Sequence, residues 1–428
     1  MNGKENTYET RQSREVEMGY AMRERLLQLM GVGATIAVVS LIMATVGCQA
    51  QTTTAKAGAS AKTSPAPKTP WGEPDLQGLW TIERLVPLQR PAGITREFYT
   101  EEEIAALDVQ RSQKSVFGNA VRQKRGSEAD VSGAYNAVFT SQRPTGRRTS
   151  MIIDPPDGKV PPLTPKAQEQ QAAFREYQRA LVQATDVCKN GDLPGCKSGP
   201  PSPRRSEPPP AYPAAGVGPL NRADGPEDRG LSERCMGGGL PDFRGGFTGI
   251  HRRIVQSPGV VTIFYDTGQG QGWSRVIPIT DRPHLPSQIR QWWGDSRGHW
   301  EGDTLVVDVT NFSPKTDFLG SRENLHLVER WTRTGPQMIE AVSTMEDPTT
   351  WTRPWTAIQE FNLQDNFRNR IYTEPRCHEG NQGLLGILAG ARAVEKAFAA
   401  GRGPDPATLC IGSCAGPSAE DQDPLALQ

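Results

Sequence analysis

A mainly β chain is the fold class this sequence predicts: an antiparallel meander closing into an up-and-down barrel, with a few peripheral helices and disordered proline-rich segments. After Cys235, apolar, β-branched and aromatic runs recur at short intervals, namely Arg253–Gln256, Val260–Asp266, Ser274–Ile279, Thr304–Val309, Leu325–Thr332, Met338–Met345 and Trp355–Leu363. Between them fall turn signals such as Ser257-Pro258-Gly259, Glu301-Gly302-Asp303 and Gly335-Pro336, and sequential strands joined this way form a meander. Leu76–Thr81 and Ser150–Asp154 add enough strands for a barrel, which closes its own edges and can leave a cavity inside. An open sheet or a sandwich is the competing architecture.

The first element is not part of the fold. Leu29 to Gly47 is apolar and follows Arg23 and Arg25, the pattern of an export signal; it is also just long enough for an uncleaved signal anchor at about 1.5 Å per residue. The residues before Met22 are unusual for the start of such a segment, so Met18 or Met22 is expected to be the true start. Thr45-Val46-Gly47-Cys48 resembles the lipobox of bacterial lipoproteins, with Thr45 where leucine is usual. That resemblance implies lipidation of Cys48 and a membrane attachment through the lipid. Gln49 then carries no retention signal, which places the protein on the periplasmic side of the outer membrane, or free in the periplasm if the segment is simply cleaved.

Composition organises the remainder. The chain of 428 residues has 44 glycines and 36 prolines, an excess that belongs in discrete tethers. Residues 1–48 form the signal segment and 49–70 a flexible stalk. Residues 71–197 hold the first strands and two helices, 198–230 a proline-rich linker, and 401–428 a low-complexity tail. Residues 231–400, the meander and a closing helix, make one folded unit with 71–197. Lysine plus arginine and aspartate plus glutamate are 48 each, so there is no bulk positive field to gather a phosphate backbone, and nucleic acid is not an expected partner.

Three helices are expected. Thr100-Glu101-Glu102-Glu103 has the form of a capping box. Thr164-Pro165 reads as an N-cap followed by a first-turn proline, leading into Ala172, Phe174, Tyr177 and Leu181 at helical spacing. Leu384–Ala400 is the closing helix.

Without Cys48 six cysteines remain, an even number that suits an oxidising compartment. Proximity favours Cys188 with Cys196 and Cys410 with Cys414. Cys235 with Cys377 is then a long-range clamp worth roughly 4–5 kcal/mol by chain entropy. No CxxC pair points to a metal.

Several blocks, PDLQGLW (74–80), DPPDGKVPPLTP (154–165), DRPHLP (281–286), IRQWWGDSRGHWEGDTLVV (289–307), ENLHLVERWTR (323–333), EDPTTWTRPWT (346–356) and CHEGN (377–381), resemble a family of uncharacterised exported proteins of environmental bacteria. The resemblance spans roughly residues 70–395 and implies one folded unit; it supplies no catalytic residue. Gly78-Leu79-Trp80 is similar to the Gly-x-Trp of the first strand in lipocalin-like calycins, but over a hundred residues separate it from the main meander.

All five histidines, His251, His284, His299, His326 and His378, lie between Cys235 and Asn381, and histidine is the side chain best suited to proton transfer near neutrality. His284 is held between Pro283 and Pro286, either to present an imidazole at a barrel mouth or merely to shape a corner. His299 leads into a hairpin whose carboxylates cap it. Alternation on Leu325–Thr332 sets Leu325, Leu327, Glu329 and Trp331 on one face, with His326, Val328 and Arg330 on the other. An inward Glu329 is either desolvated, its pKa raised for acid–base work, or neutralised by an arginine such as Arg353. Trp351, Arg353 and Trp355 either stack on a planar ligand or latch the core. Cys377-His378-Glu379 sets an imidazole and a carboxylate beside the proposed clamp. No GxSxG, Walker loop, GxGxxG or HExxH motif occurs, so no cofactor and no metal are expected.

The first expectation is therefore an exported, lipid-anchored barrel binding a small apolar or aromatic molecule through Trp292, Trp351, Arg353 and Trp355. The second is a cofactor-independent lyase, isomerase or hydrolase pairing His284, His326 or His378 with Glu329. An envelope scaffold, with the tryptophans filling a core, is the third.

Overall fold

Each apolar run becomes a strand because one face of it is buried. In β9 (Met338–Glu346) burial alternates, with Ile339, Ala341, Ser343 and Met345 inside; the same period of two sets Leu305, Val307 and Val309 of β7 (Thr304–Thr310) inside. The structure, a computed structural model, describes residues 67–114, 143–190, 206–211, 220–231, 233–236, 239–243, 251–268, 271–364 and 382–411.

The other strands are β1 (Gly78–Thr81), β2 (Ile152–Asp154), β3 (His251–Ser257), β4 (Val260–Gly268), β5 (Gln271–Pro278), β6 (Asp295–Glu301), β8 (His326–Gly335) and β10 (Trp355–Leu363). They form one antiparallel sheet in the order β5-β4-β3-β1-β10-β9-β8-β7-β6, with β2 paired to β10. β1 and β2 share one edge of β10, β1 through Trp80↔Leu363 and β2 through Ala357↔Ile152. Together they make a strand in two pieces.

The sheet is a nearly closed barrel. Eight antiparallel steps leave the two end strands, β5 and β6, running the same way. They meet in a parallel bridge between Ile279 and Gly298, with Thr280 N donating to Gly298 O at 3.0 Å. Ladder hydrogen bonds are sparse at this seam. Tight hairpins join β3 to β4, β6 to β7 and β8 to β9 at one end. At the other end Phe243, Phe318, Trp351 and Trp355 form an aromatic plug: Phe318 and Trp355 stack at 5.9 Å, and Trp351 meets Trp355 edge-on at 5.5 Å. Phe243 lies 5.9 Å from Phe318. The core is continuous from this plug through the strand interiors.

The helices are α1 (Glu101–Lys114), α2 (Pro165–Val182), α3 (Asp186–Asn190) and α4 (Gln382–Ala399). The capping box forms as expected, Thr100 N donating to Glu103 Oε2 at 2.9 Å and Glu103 N to Thr100 Oγ1 at 3.3 Å. Thr164 caps α2, accepting from Ala167 N at 3.2 Å.

Three features differ from the sequence expectation. β6 is a strand although Asp295-Ser296-Arg297-Gly298-His299 shows no apolar alternation; pairing with β7 along its whole length, and not its own burial pattern, makes it one. The linker read over 198–230 is folded at its end. Leu220 is buried with Tyr177 and Leu181 of α2, and Arg229, fully buried, donates to the carbonyls of Leu220, Arg222 and Ile411. The start of the tail is folded as well: Asn221 Nδ2 donates to Leu409 O, and Pro406–Thr408 form a 3-10 turn. Low hydropathy here reflects polar side chains that satisfy buried backbone, not a lack of structure. Among the described residues no helix is long and apolar enough to cross a membrane.

Candidate functional site

β8 carries Leu327, Glu329 and Trp331 into the barrel and turns His326, Val328 and Arg330 outward. Glu329 is thus an inward carboxylate, and the buried partner it finds is Arg275 of β5. Arg353 is half exposed and pairs with Asp154 outside the barrel, at 2.8 and 3.0 Å. Arg275 shares its inward face with Trp273 and Ile277, so it too is a charge on an apolar face.

Around this pair the interior is polar. Arg275 Nε donates to Ser296 Oγ of β6 at 3.0 Å, across the seam, and Nη1 to Tyr265 Oη of β4 at 3.3 Å. Burial works against the charge on Arg275, yet Glu329 and then Tyr265 outweigh it and hold the guanidinium above its ordinary value. Burial likewise pushes the Tyr265 phenol up to about 12. Arg252 of β3 lies 4.4 Å over the Tyr265 ring and pairs with buried Asp242 at 2.9 Å. Tyr265, Trp273 and Trp293 form a parallel stack, with ring centroids 4.2 and 4.3 Å apart.

Arg275 Nη2, Trp273 Nε1 and Trp331 Nε1 are buried without an acceptor among the described residues, as are Trp351 Nε1 and Trp355 Nε1 in the aromatic plug. Trp331 instead spends its ring against Phe361 at 5.6 Å. An unmet buried donor costs about 1–3 kcal/mol, so each is a place where an oxygen acceptor would be bound favourably.

The histidines gather elsewhere. Asp295, Arg297 and His299 of β6, Asp308 of β7 and His326 of β8 project from the outer wall, opposite in direction to the buried Ser296, Val307 and Leu327. His284 lies over them: its Nδ1 is 3.0 Å from Asp295 Oδ2 and its Nε2 is 3.1 Å from Asp308 Oδ1. His326 Nε2 reaches the same Asp308 Oδ1 at 3.1 Å. The hydrogen bond from His326 holds the Asp308 carboxyl below its usual range, and the same bond raises His326. One carboxylate therefore bridges two imidazoles, both partly open to solvent. The structure brings His284 and His326 together but places neither with Glu329, which is locked to Arg275 on the opposite side of the sheet.

The remaining candidates are dispersed. Trp351 and Trp355 are fully buried in the aromatic plug, and Trp292 is half-buried beside Trp293 in sequence. His299 is exposed and sits 3.1 Å from Glu301 at the β6–β7 hairpin. Burial lowers the pKa of His251. Cys188, Cys235 and Cys410 are each disulfide-bonded, while Cys196, Cys377, Cys414, Cys48 and His378 lie outside the described residues. Among the described residues no group of three or more His, Cys, Asp or Glu side chains is arranged to hold a metal ion.

Arg275 and Asp308 are the central residues that the sequence reading passes over. Alternation over Ser274–Ile279 carries the signal for Arg275, because it puts this charge in phase with Ile277. Asp308 has none, since an outward aspartate in a strand is ordinary. Compared with known proteins, the chain matches no protein-family model and no curated protein.

Proposed function

We propose that this is an exported, lipid-anchored barrel protein that binds a small, uncharged aromatic molecule in its interior. The observation that supports this is the set of buried, unmet donors on Arg275, Trp273 and Trp331 in the barrel interior, beside a stack of aromatic rings. Glu329 already neutralises Arg275, so an anionic ligand would meet a carboxylate, whereas a carbonyl or hydroxyl oxygen satisfies a donor at no such cost. The stack of Tyr265, Trp273 and Trp293 beside Arg275 favours an aromatic ring. Export and lipidation rest on the Leu29–Cys48 segment, which suits a protein sampling small molecules on the periplasmic side of an outer membrane.

The experiment is native mass spectrometry of the full chain isolated from membranes of an oxidising host, followed by thermal melts with phenol, benzamide and acetophenone. A retained organic mass, or a melting temperature raised by one of these probes and less so in Trp273→Phe, supports the binding role. A bare mass with flat melts for all three overturns it and leaves the barrel as an envelope scaffold with a filled core.

A further inference from the structure

The chain between β5 and β6, residues 279–294, spans the two strands that close the barrel least completely. It is fastened along its length to the β7–β8 connection. Gln291 N donates to Asn311 O at 2.9 Å, Ser313 N to Gln291 O at 2.7 Å, Asn311 Nδ2 to Leu285 O at 2.7 Å and Arg290 Nη1 to Glu323 O at 2.7 Å. Its far end delivers Trp293, which stacks on Trp273 at 4.3 Å with the rings 6° from parallel. Trp273 lies two residues before Arg275 on the same inward face. The segment is therefore a strap over the seam whose end covers the polar interior.

His284 is the strap's side-chain fastening to the strand wall. Both of its ring nitrogens face carboxylates, Asp295 at 3.0 Å and Asp308 at 3.1 Å. An ionised carboxylate only accepts, and a neutral imidazole has a single N–H. Both contacts are hydrogen bonds only when the ring carries two protons; with one, a nitrogen lone pair faces a carboxylate oxygen. We infer that the strap is a proton-operated gate, held against the outer wall while His284 is doubly protonated and loosened when that proton leaves.

The surrounding groups set how sharply it responds. From β6, Arg297 Nη1 donates to Asp295 Oδ1 at 2.7 Å, and the strap's own Leu285 N donates to Asp295 Oδ2 at 2.9 Å, so Asp295 stays placed without His284. From β8, His326 Nε2 also reaches Asp308 Oδ1 at 3.1 Å, and from β9 Glu346 lies 3.9 Å from His326 Nδ1. Asp281 and Arg282, on the strap itself, are exposed. His284 ties the strap to two different strands, β6 and β7. Pro283 and Pro286 on either side restrict the backbone, so releasing the ring moves a stiff segment and not a loose coil. That the gate controls a ligand rests on the binding role proposed above; the gate itself does not.

Hydrogen exchange of peptides from 279–294 in the intact protein, read from pH 5 to pH 8 and corrected for the intrinsic rate, tests it. Protection is expected to fall by roughly tenfold as pH rises, the effect of losing one charge-assisted bond. In His284→Gln, which has one donor end and one acceptor end, it is expected to be low and flat at every pH. Wild-type protection that does not change over this range overturns the gate, as does a His284→Gln variant that follows wild type; because the wild-type series needs no variant, a folding defect cannot mask the result. Exchange that responds to pH in a protein that binds none of the three probes keeps the gate and removes its ligand. Probe binding with exchange that ignores pH does the reverse.

Discussion

Arg275 and Glu329 form an ion pair inside the barrel although their strands are not neighbours, β6 and β7 lying between β8 and β5 around the wall. The pair is a chord across the interior, and both side chains are almost wholly buried. Removing one partner strands the other's charge, so Glu329→Gln or Arg275→Met is expected to cost about 3–5 kcal/mol. The double variant Arg275→Met with Glu329→Leu should recover most of that. Urea midpoints with unchanged slopes check both expectations.

The Trp-x-Arg-Pro-Trp run divides sharply. Trp351→Ala or Trp355→Ala empties the plug and is expected to cost about 3–5 kcal/mol. Arg353→Ala removes only a half-exposed pair with Asp154, worth about 0–1 kcal/mol. Thermal melts of the three variants test this, and an Arg353→Ala loss as large as either tryptophan's would contradict the geometry.

His326 and Asp308 give stability a pH optimum. The Asp308 contribution is present above an aspartate's ordinary 3.8 and is lost as pH falls through its lowered value. The His326 contribution is complete below the ordinary 6.5 and is lost as pH rises through its raised value. Both side chains are about 40% exposed, so solvent limits the pair to less than about 1 kcal/mol. Unfolding free energies at pH 5, 6.5 and 8 should show an alkaline decline that His326→Gln flattens.

Two glycines with positive φ should respond differently. At Gly302, in the β6–β7 turn with φ +60°, a Cβ meets nothing within 4 Å, so Gly302→Asn is expected to cost only a few tenths of a kcal/mol, asparagine tolerating this region. At Gly294 (φ +69°) a Cβ would lie 2.7 Å from the Thr310 carbonyl oxygen. Gly294→Ala should cost about 2 kcal/mol or more, because strain and a backbone clash add. Paired chemical melts discriminate the two.

If Cys48 carries the lipid, Cys48→Ser moves the protein from the membrane fraction to the soluble periplasmic one, and incorporation of labelled palmitate disappears. Membrane retention without label would point to an uncleaved anchor.

Most of the barrel could be read from residue pattern, because seven runs after Cys235 bury one face each and announce it by alternation; Trp355–Leu363 even keeps its bounds. β6 was hidden, since Asp295, Arg297 and His299 face outward and Ser296 and Gly298 supply no apolar phase. The candidate site was legible only in parts. His284, His326 and Glu329 are conspicuous as residues, but which partner each one meets depends on barrel curvature, which carries Arg275 to Glu329 and the strap to Asp308. Pattern fixes the faces of a strand relative to one another and says nothing of what lies across the interior.

β10 is the last strand among the described residues and the middle one in the sheet. On one side of it stand β1, β3, β4 and β5; on the other stand β9, β8, β7 and β6. Until residues 355–363 have emerged from the ribosome, these two halves have, among the described residues, no ladder to join them except the sparse seam. A nascent chain stopped short of Trp355 would present two open sheets with bare edges, a substrate for chaperones and proteases. Assembly of the barrel must therefore wait for β10, which makes this strand an element with little tolerance of truncation.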